Sequence, residues 1–514
     1  MRRSICILAG AAPLWLAGGA WAQSTPDGAA ALRDGLNEML KPILGIQVQQ
    51  QPLFTGPVTV QPAGAGYTVV FPGIDLMVKG KEATAQTVAL HCDAQTYSAA
   101  STGAATWRLE SSEPLSCTAT PEGESRITLS SRSLQAHFTV DLQQKLFTEG
   151  EWRIDGLSGT QDGLQGKVTI DSLTVSNQLR PTSDPARQDV AFKMEASRVS
   201  AVDGTGVERF SLGHAAYDGT MDGMDVHQVM ASYGQVIDVY VEMFEAMAAA
   251  GVSPADPKQA AGVQAEVMKK VMGPLKQMVA AYGDGGKFGA TMTDLRVKAP
   301  DVQVTLDRMR IVEGYAGAST PSSGTGVVEM EMGGLAIAPK PPFAEWIPTD
   351  ATIRLNASGI PWADAANAYV GVMQASADQA ADPAKAQQAI AQSMLQLGAI
   401  LRKAGTRLDI TSFHIAAPEA AIDLKGSVQG KEAAKHGVTA DLDLRFTNLD
   451  GLIKFIQSQP DGAQAAAGLT MAQVMGRQAT ADDGRPARDY DIVVDDAGKI
   501  LVNGTDLAAL APKQ

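Results

Sequence analysis

The chain has 514 residues, with 42 Lys and Arg against 56 Asp and Glu, a formal charge of −14. That acidity argues against nucleic acid, which needs clustered cations to displace phosphate counterions, and against simple electrostatic docking on anionic headgroups. Aromatic residues make up 5% and apolar residues 45% of the chain, and much of the apolar share is Ala and Val, which suits extended sheets with thin cores.

The first residues predict export. Arg2 and Arg3 form a positive start, Ile5 to Ala20 is a short apolar stretch interrupted by Pro13 and glycines, and Ala20-Trp21-Ala22 gives the small-x-small cleavage pattern. Cleavage is expected after Ala22, leaving Gln23 as the mature N-terminus in the periplasm. An uncleaved anchor would want about 20 continuous apolar residues, more than this stretch offers. General secretion and twin-arginine export both fit the Arg pair, and Cys6 stands too early for lipoprotein acylation. Losing Arg2 and Arg3 takes the formal charge from −14 to −16. No later segment approaches 18 continuous apolar residues, so no transmembrane segment is expected in the mature chain. Two cysteines remain, Cys92 and Cys117. In an oxidising compartment one disulfide between them is expected, worth about 3 kcal/mol.

Asp27 to Lys41 reads as a helix with Leu32, Leu36 and Leu40 on one face and Pro42 ending it. From Ile46 the period becomes two. Strands are expected from Val58 to Val60, Tyr67 to Phe71, Ile74 to Val78, Gln86 to Cys92, Thr106 to Leu109, Ser125 to Ser130 and Leu134 to Leu142. Trp152 to Ile154, Gly166 to Val175, Asp189 to Val199 and Val207 to Leu212 continue them, with Gly and Pro as punctuation. So many strands without helices between them predict an antiparallel meander. Asp218 to Gly223 opens like a calcium loop, but Val229 stands where the twelfth, acidic ligand belongs, so a hairpin turn is expected there.

Asp225 to Ala250 is helical in period, with Val229, Tyr233, Val236, Tyr240 and Phe244 on one stripe. Pro257 to Tyr282 is a second helix carrying Val263, Val267, Val271 and Met278. Together they predict a helical hairpin over 223–285, its Met-rich stripe a packing face. Strands resume from Thr293 to Lys298, Val302 to Val312, Gly326 to Met332 and Ala351 to Ala357, with loops at Gly314 to Gly324 and Pro339 to Pro342. Pro361 to Ser376 and Ala384 to Lys403 are helical. Arg407 to Ala416, Ala420 to Val428 and Val438 to Phe446 are strands. Leu449 to Gln457 and Ala463 to Gln478 are helices. Tyr490 to Val494 and Lys499 to Val502 close the chain as a hairpin turning at Asp496-Ala497-Gly498.

One junction recurs. A strand runs into Gly223-Met224-Asp225, another into Gly359-Ile360-Pro361-Trp362, a third into Asn448-Leu449-Asp450, and each then enters a helix. Gly or Asn tolerates a left-handed backbone, Asp caps helix N–H groups, and Pro starts a helix without an N–H to satisfy. Each unit therefore delivers an amphipathic helix back onto a sheet.

The end of the chain, Leu444-Arg445-Phe446-Thr447-Asn448-Leu449-Asp450-Gly451-Leu452 followed by Asp496 to Gly504, resembles an uncharacterised exported family of proteobacterial envelope proteins. In pattern it is similar to the YdgA-like and AsmA-like proteins. That resemblance implies a strand-rich envelope protein and, by the larger members, lipid handling; it carries over no catalytic residue.

Enzyme signatures are missing. There is no G-x-S-x-G elbow, no S-x-x-K pair, no P-loop and no G-x-G-x-x-G after a strand. His91, His137, His214, His227, His414 and His436 form no H-E-x-x-H or H-x-H cluster, so no metal, cofactor or catalytic residue is expected. The pairs Asp482-Asp483 and Asp495-Asp496 read as turn formers. The expectation is an α+β fold: an extended, twisted, mainly antiparallel sheet forming a groove, with packed amphipathic helices. Its organisation is a leader (1–22), a β-rich region (23–222), the helical hairpin (223–285) and a second β-rich region with strand–helix units (286–514). The expected role is a non-enzymatic periplasmic protein binding lipid or another apolar envelope component. The alternatives are an envelope scaffold partnering another protein without ligand, and a hydrolase without recognisable motifs.

Overall fold

Antiparallel pairing of neighbours in sequence builds this molecule, giving an α+β fold dominated by an extended, twisted sheet. The computed structural model describes residues 24–48, 51–78, 87–103, 105–121, 125–249, 270–278, 280–318, 323–368, 371, 383–459 and 462–509. The expected leader with Ala22 and Gln23, and the first half of the expected helix from Pro257, lie outside the described residues. The described residues fall into two compact units, one within Met1–Glu208 and Asp222–Tyr282, the other within Arg209–Met221, Gly283–Ser376 and Pro383–Gln514.

The first unit begins with α1 (Pro26–Leu44), then the strands β1 (Gln47–Val48), β2 (Gln51–Pro52), β3 (Thr59–Ala63), β4 (Gly66–Phe71), β5 (Ile74–Val78) and β6 (Val88–Cys92). Next come β7 (Gln95–Ser101), β8 (Thr106–Ser111), β9 (Ser116–Pro121), β10 (Ile127–Ser130) and β11 (Ser133–Asp141). Three long strands follow: β12 (Leu146–Gln161), β13 (Lys167–Pro181) and β14 (Gln188–Val202). β3, β4, β7 and β8 pair in that order. The larger sheet runs β5-β6-β9-β10-β12-β13-β14, with β11 on the first half of β12.

Thr25 starts α1, its Oγ1 accepting the Gly28 N–H at 3.1 Å, and Asn37 clasps both backbone groups of Val58 at 2.8 and 2.9 Å. Leu32, Leu36 and Leu40, one turn apart, are buried among Val69, Tyr97, Leu109, Phe138 and Val140. The helix runs past Pro42 to Leu44, so the proline does not end it. Ile43 and Leu44 pack on the same core and hold the last turn down despite the missing N–H.

β15 (Glu208–Met224) leads into α2 (Val226–Ala249), and residues 270–278 form α3. Asp218 to Gly223 lies inside β15 and is no hairpin turn. Its alternation continues the strand, and the Gly223 N–H donates to Asp189 Oδ1 at 2.9 Å.

The second unit contains β16 (Gly285–Lys298), β17 (Gln303–Ala316), β18 (Gly324–Gly333), β19 (Ala336–Ala338) and β20 (Asp350–Ile360). Residues 362–368 form α4, followed by α5 (Pro383–Ala404), β21 (Arg407–Ala416), β22 (Ala421–Gly430) and β23 (Val438–Thr447). α6 (Leu449–Gln457), α7 (Ala463–Met475), β24 (Arg477–Thr480), β25 (Pro486–Val494), β26 (Ile500–Val502) and β27 (Thr505–Asp506) complete it. Pairing runs β16-β17-β18-β20-β21-β22-β23-β25-β26-β27. Two expectations need correction here. The strands β17 and β18 take up both ends of the expected loop from Gly314 to Gly324. The helix expected up to Gln478 stops at Met475, because Arg477–Thr480 pairs with β25.

The recurring junction has the backbone its chemistry calls for. Gly223, Gly359 and Asn448 all have positive φ, at 68°, 71° and 56°. Asp225 Oδ1 accepts the Gln228 N–H at 3.0 Å, and Asn448 Oδ1 accepts the Gly451 N–H at 3.2 Å. Strands alternate in direction from β20 to β23, with Ser358 opposite Arg407 and Gly430 opposite Val438. The α4–α5 segment therefore leaves one end of this sheet and α6–α7 the other.

Candidate functional site

The residues singled out in the sequence do not converge on a reaction centre. Cys92 and Cys117 are directly opposite across β6 and β9, their Cα atoms 4.1 Å apart, and form a disulfide. His91 meets Asp93 at 3.3 Å, His137 meets Glu151 at 3.8 Å, and His414 Nδ1 lies 2.7 Å from Asp423 Oδ1. His436 Nε2 contacts the Gly498 carbonyl at 2.9 Å. Among the described residues no group of three His, Cys, Asp or Glu side chains could hold a metal ion. A cleft of ≈ 270 Å³ is lined by His137, Glu151, Ser176 and Lys193, which share one row of β11–β14. His137 and Glu151 are about half exposed, at 43% and 45%, so water screens this row. Among the described residues no helix is long and apolar enough to cross a membrane.

What the registers assemble instead is a continuous apolar face in each unit. In the first, Ala136 stands opposite Trp152, Trp152 opposite Val175, and Val175 opposite Met194. The next row is Leu134, Ile154, Leu173 and Ala196. Near β11 these rows join the core under α1, where Ala136 is 3% exposed; by β14 Met194 is 45% exposed. The other face of the same strands carries Arg153, Thr174, Lys193 and Glu195.

The second unit repeats the arrangement on a larger scale. One register row reads Ala290, Ile311, Met330, Ile353, Phe413, Leu424, Leu444 and Tyr490, one residue from each of β16, β17, β18, β20, β21, β22, β23 and β25. The adjacent row, two residues along, reads Phe288, Glu313, Val328, Leu355, Ile410, Gly426, Leu442 and Ile492, apolar but for the exposed Glu313 and the bare Gly426. α6 and α7 cover the β23–β25 end, where Leu449, Ile453 and Ala466 pack with Tyr490, and Leu444, Phe446 and Ile492 press against them. From Ala290 to Leu424 every member of the first row remains half-buried, and Val328 beside it is 40% exposed.

The opposite face is polar in the same registers: Thr291, Arg310, Glu331, Thr352, His414, Asp423, Arg445, Asp489. These charges are paired. Arg445 grips Asp489 with two bonds of 2.8 and 3.0 Å, Arg354 bonds Glu331 at 2.8 Å, and Arg310 bonds Glu329 at 3.1 Å. The side-chain hydrogen bond from Arg445 holds the Asp489 carboxyl below the ordinary carboxylate range, and Arg354 does the same for Glu331. A side with its charges neutralised faces water; the aliphatic side has no such solvent match.

A crease interrupts several strands. Gly156 in β12 and Arg198 in β14 have φ of 63° and 45°, with Asp171 of β13 at the same register level between them. In the second unit Asp294 of β16 has φ 55°, at the level of Asp307 in β17. The apolar alternation changes parity there: Trp152 and Ile154 give way to Leu157, and Ala290 and Met292 to Leu295. A one-residue slip normally exchanges the two faces of a strand, and left-handed residues are the backbone device that re-aims side chains. Sequence reasoning missed these positions; Gly156 and Asp294 belong to residue types that tolerate a positive φ, and Arg198 does not.

Comparison with family models, with curated proteins and with solved structures gives no match in any of the three. The class of this protein therefore stands on its fold and its two-faced sheet.

Proposed function

We propose that this is an exported, non-enzymatic envelope protein that holds the acyl chain of a periplasmic lipid against the apolar face of its sheet. The observation that carries the reading is the half-buried row from Ala290 to Leu424, which stops where α6 and α7 cover Leu444. At about 4.8 Å per strand, the six paired strands β16, β17, β18, β20, β21 and β22 give it a length of roughly 25 Å. Such a strip suits a long unbranched ligand, because apolar burial is non-directional and contributes about 0.8 kcal/mol per methylene. The Cys92–Cys117 disulfide agrees with an oxidising compartment. Kinship with the YdgA-like and AsmA-like envelope proteins is part of this proposal.

Solvent extraction of the purified full chain followed by lipid mass spectrometry tests it. Acyl lipid should co-purify, and Leu424→Lys, which places a charge in the row, should lower lipid per chain at least fivefold. A wild-type chain that carries no lipid and takes none from added phospholipid vesicles would favour a ligand-free scaffold instead.

A further inference from the structure

The apolar face of the second unit has one chemically distinct place. Met292 of β16 is directly opposite Met309 of β17, and Met309 is directly opposite Met332 of β18. Met330, two residues before Met332 on the same strand, projects from the same face and stands opposite Ile311. Four thioethers thus share two adjacent rows of three neighbouring strands, on a face whose other side chains are mainly aliphatic and aromatic. All four are half-buried, neither sealed in a core nor loose in solvent.

We propose that Met292, Met309 and Met332, with Met330 beside them, form a binding site for a soft monovalent cation, Cu(I) or Ag(I). Thioether sulfur is a soft, neutral donor that selects Cu(I) and has little affinity for hard cations. Adjacent strands lie about 4.8 Å apart, so the outer two methionines stand roughly 10 Å apart at the backbone. Each side chain has three torsions and can lean inward over Met309. The cationic neighbours Arg308 and Arg310 alternate with Met309 along β17 and so leave from the opposite face, which spares the ion their repulsion. In an oxidising compartment thiol ligands are lost to disulfides, as Cys92 and Cys117 are here. Methionine keeps its donor under those conditions.

The test is anaerobic titration of the full-length protein with Cu(I) against a chromophoric Cu(I) chelator, with Ag(I) as a second probe. One equivalent should bind, and X-ray absorption should show a sulfur-only shell. Met309→Leu is close in volume and should leave the fold intact, which circular dichroism would verify, yet weaken Cu(I) binding at least tenfold. Met194→Leu, on the apolar face of the first unit, should change nothing. No Cu(I) retained by the wild type, unchanged affinity in folded Met309→Leu, or a nitrogen- or oxygen-dominated shell would each overturn the site. Met330 also belongs to the row proposed for the acyl chain, so the titration uses delipidated protein and its outcome is read apart from lipid binding.

Discussion

Gly359 shows how a single position fixes an element boundary. Its φ is 71°, and a Cβ there would come no nearer than 3.7 Å to any neighbour. Gly359→Ala therefore meets no clash, and its cost is that of a left-handed alanine, about 1–2 kcal/mol. Urea unfolding should show that loss, and an unchanged midpoint would contradict the junction's role. Asp489 makes the corresponding electrostatic case. Arg445 lowers its folded-state pKa, so the pair stabilises the fold above the unfolded-state value near 4 and ceases to do so as pH falls through the lower folded value. Asp489→Asn should melt below the wild type at pH 7, with the difference closing in strong acid as the wild-type carboxyl is protonated. A difference constant across that acid range would rule out the linkage. These two sites also mark what sequence can reveal. Gly359 and Asn448 were legible because few residue types accept their backbone, whereas the pairing of Arg445 with Asp489 depends on a register no single segment encodes.

At the level of elements, the stripe on α1 and the alternating strands were readable because burial imposes their period. Leu36, wholly buried, should cost about 2–5 kcal/mol when cut to alanine, measured as a fall in the first unit's unfolding midpoint. A loss under about 1 kcal/mol would mean that α1 is not an integral part of that core. The strands that escaped notice lack large alternating side chains. β7 reads Gln-Thr-Tyr-Ser-Ala-Ala-Ser and β9 reads Ser-Cys-Thr-Ala-Thr-Pro, and neighbouring strands recruit both. β12 reaches 16 residues where three were expected. Its apolar pattern changes parity around Gly156, so a period-two reading stops there although the hydrogen bonding continues. Asp218 to Gly223 failed in the opposite sense: Asp and Gly are frequent in turns, yet here they end a 17-residue strand.

For the molecule as a whole, patterning announced a sheet with one greasy side. It could not announce how much of that side the helices leave uncovered, since a covered face and an open one share the same alternation. α6 and α7 cover the β23–β25 end of the row, and the row's side chains on the strands before it stay half-buried. Ion pairs match the reverse side to solvent, and the proposed ligand would take the other. Photo-crosslinking decides this most directly. A phospholipid with a photoactivatable group midway along its acyl chain would be loaded onto the purified protein, and the adducts mapped by peptide mass spectrometry. Adducts should fall on the strands carrying Ile311, Ile353 and Leu424, at those side chains or their same-face neighbours. Adducts absent, or confined to the polar-face residues Arg310, Thr352 and Asp423, would contradict the account.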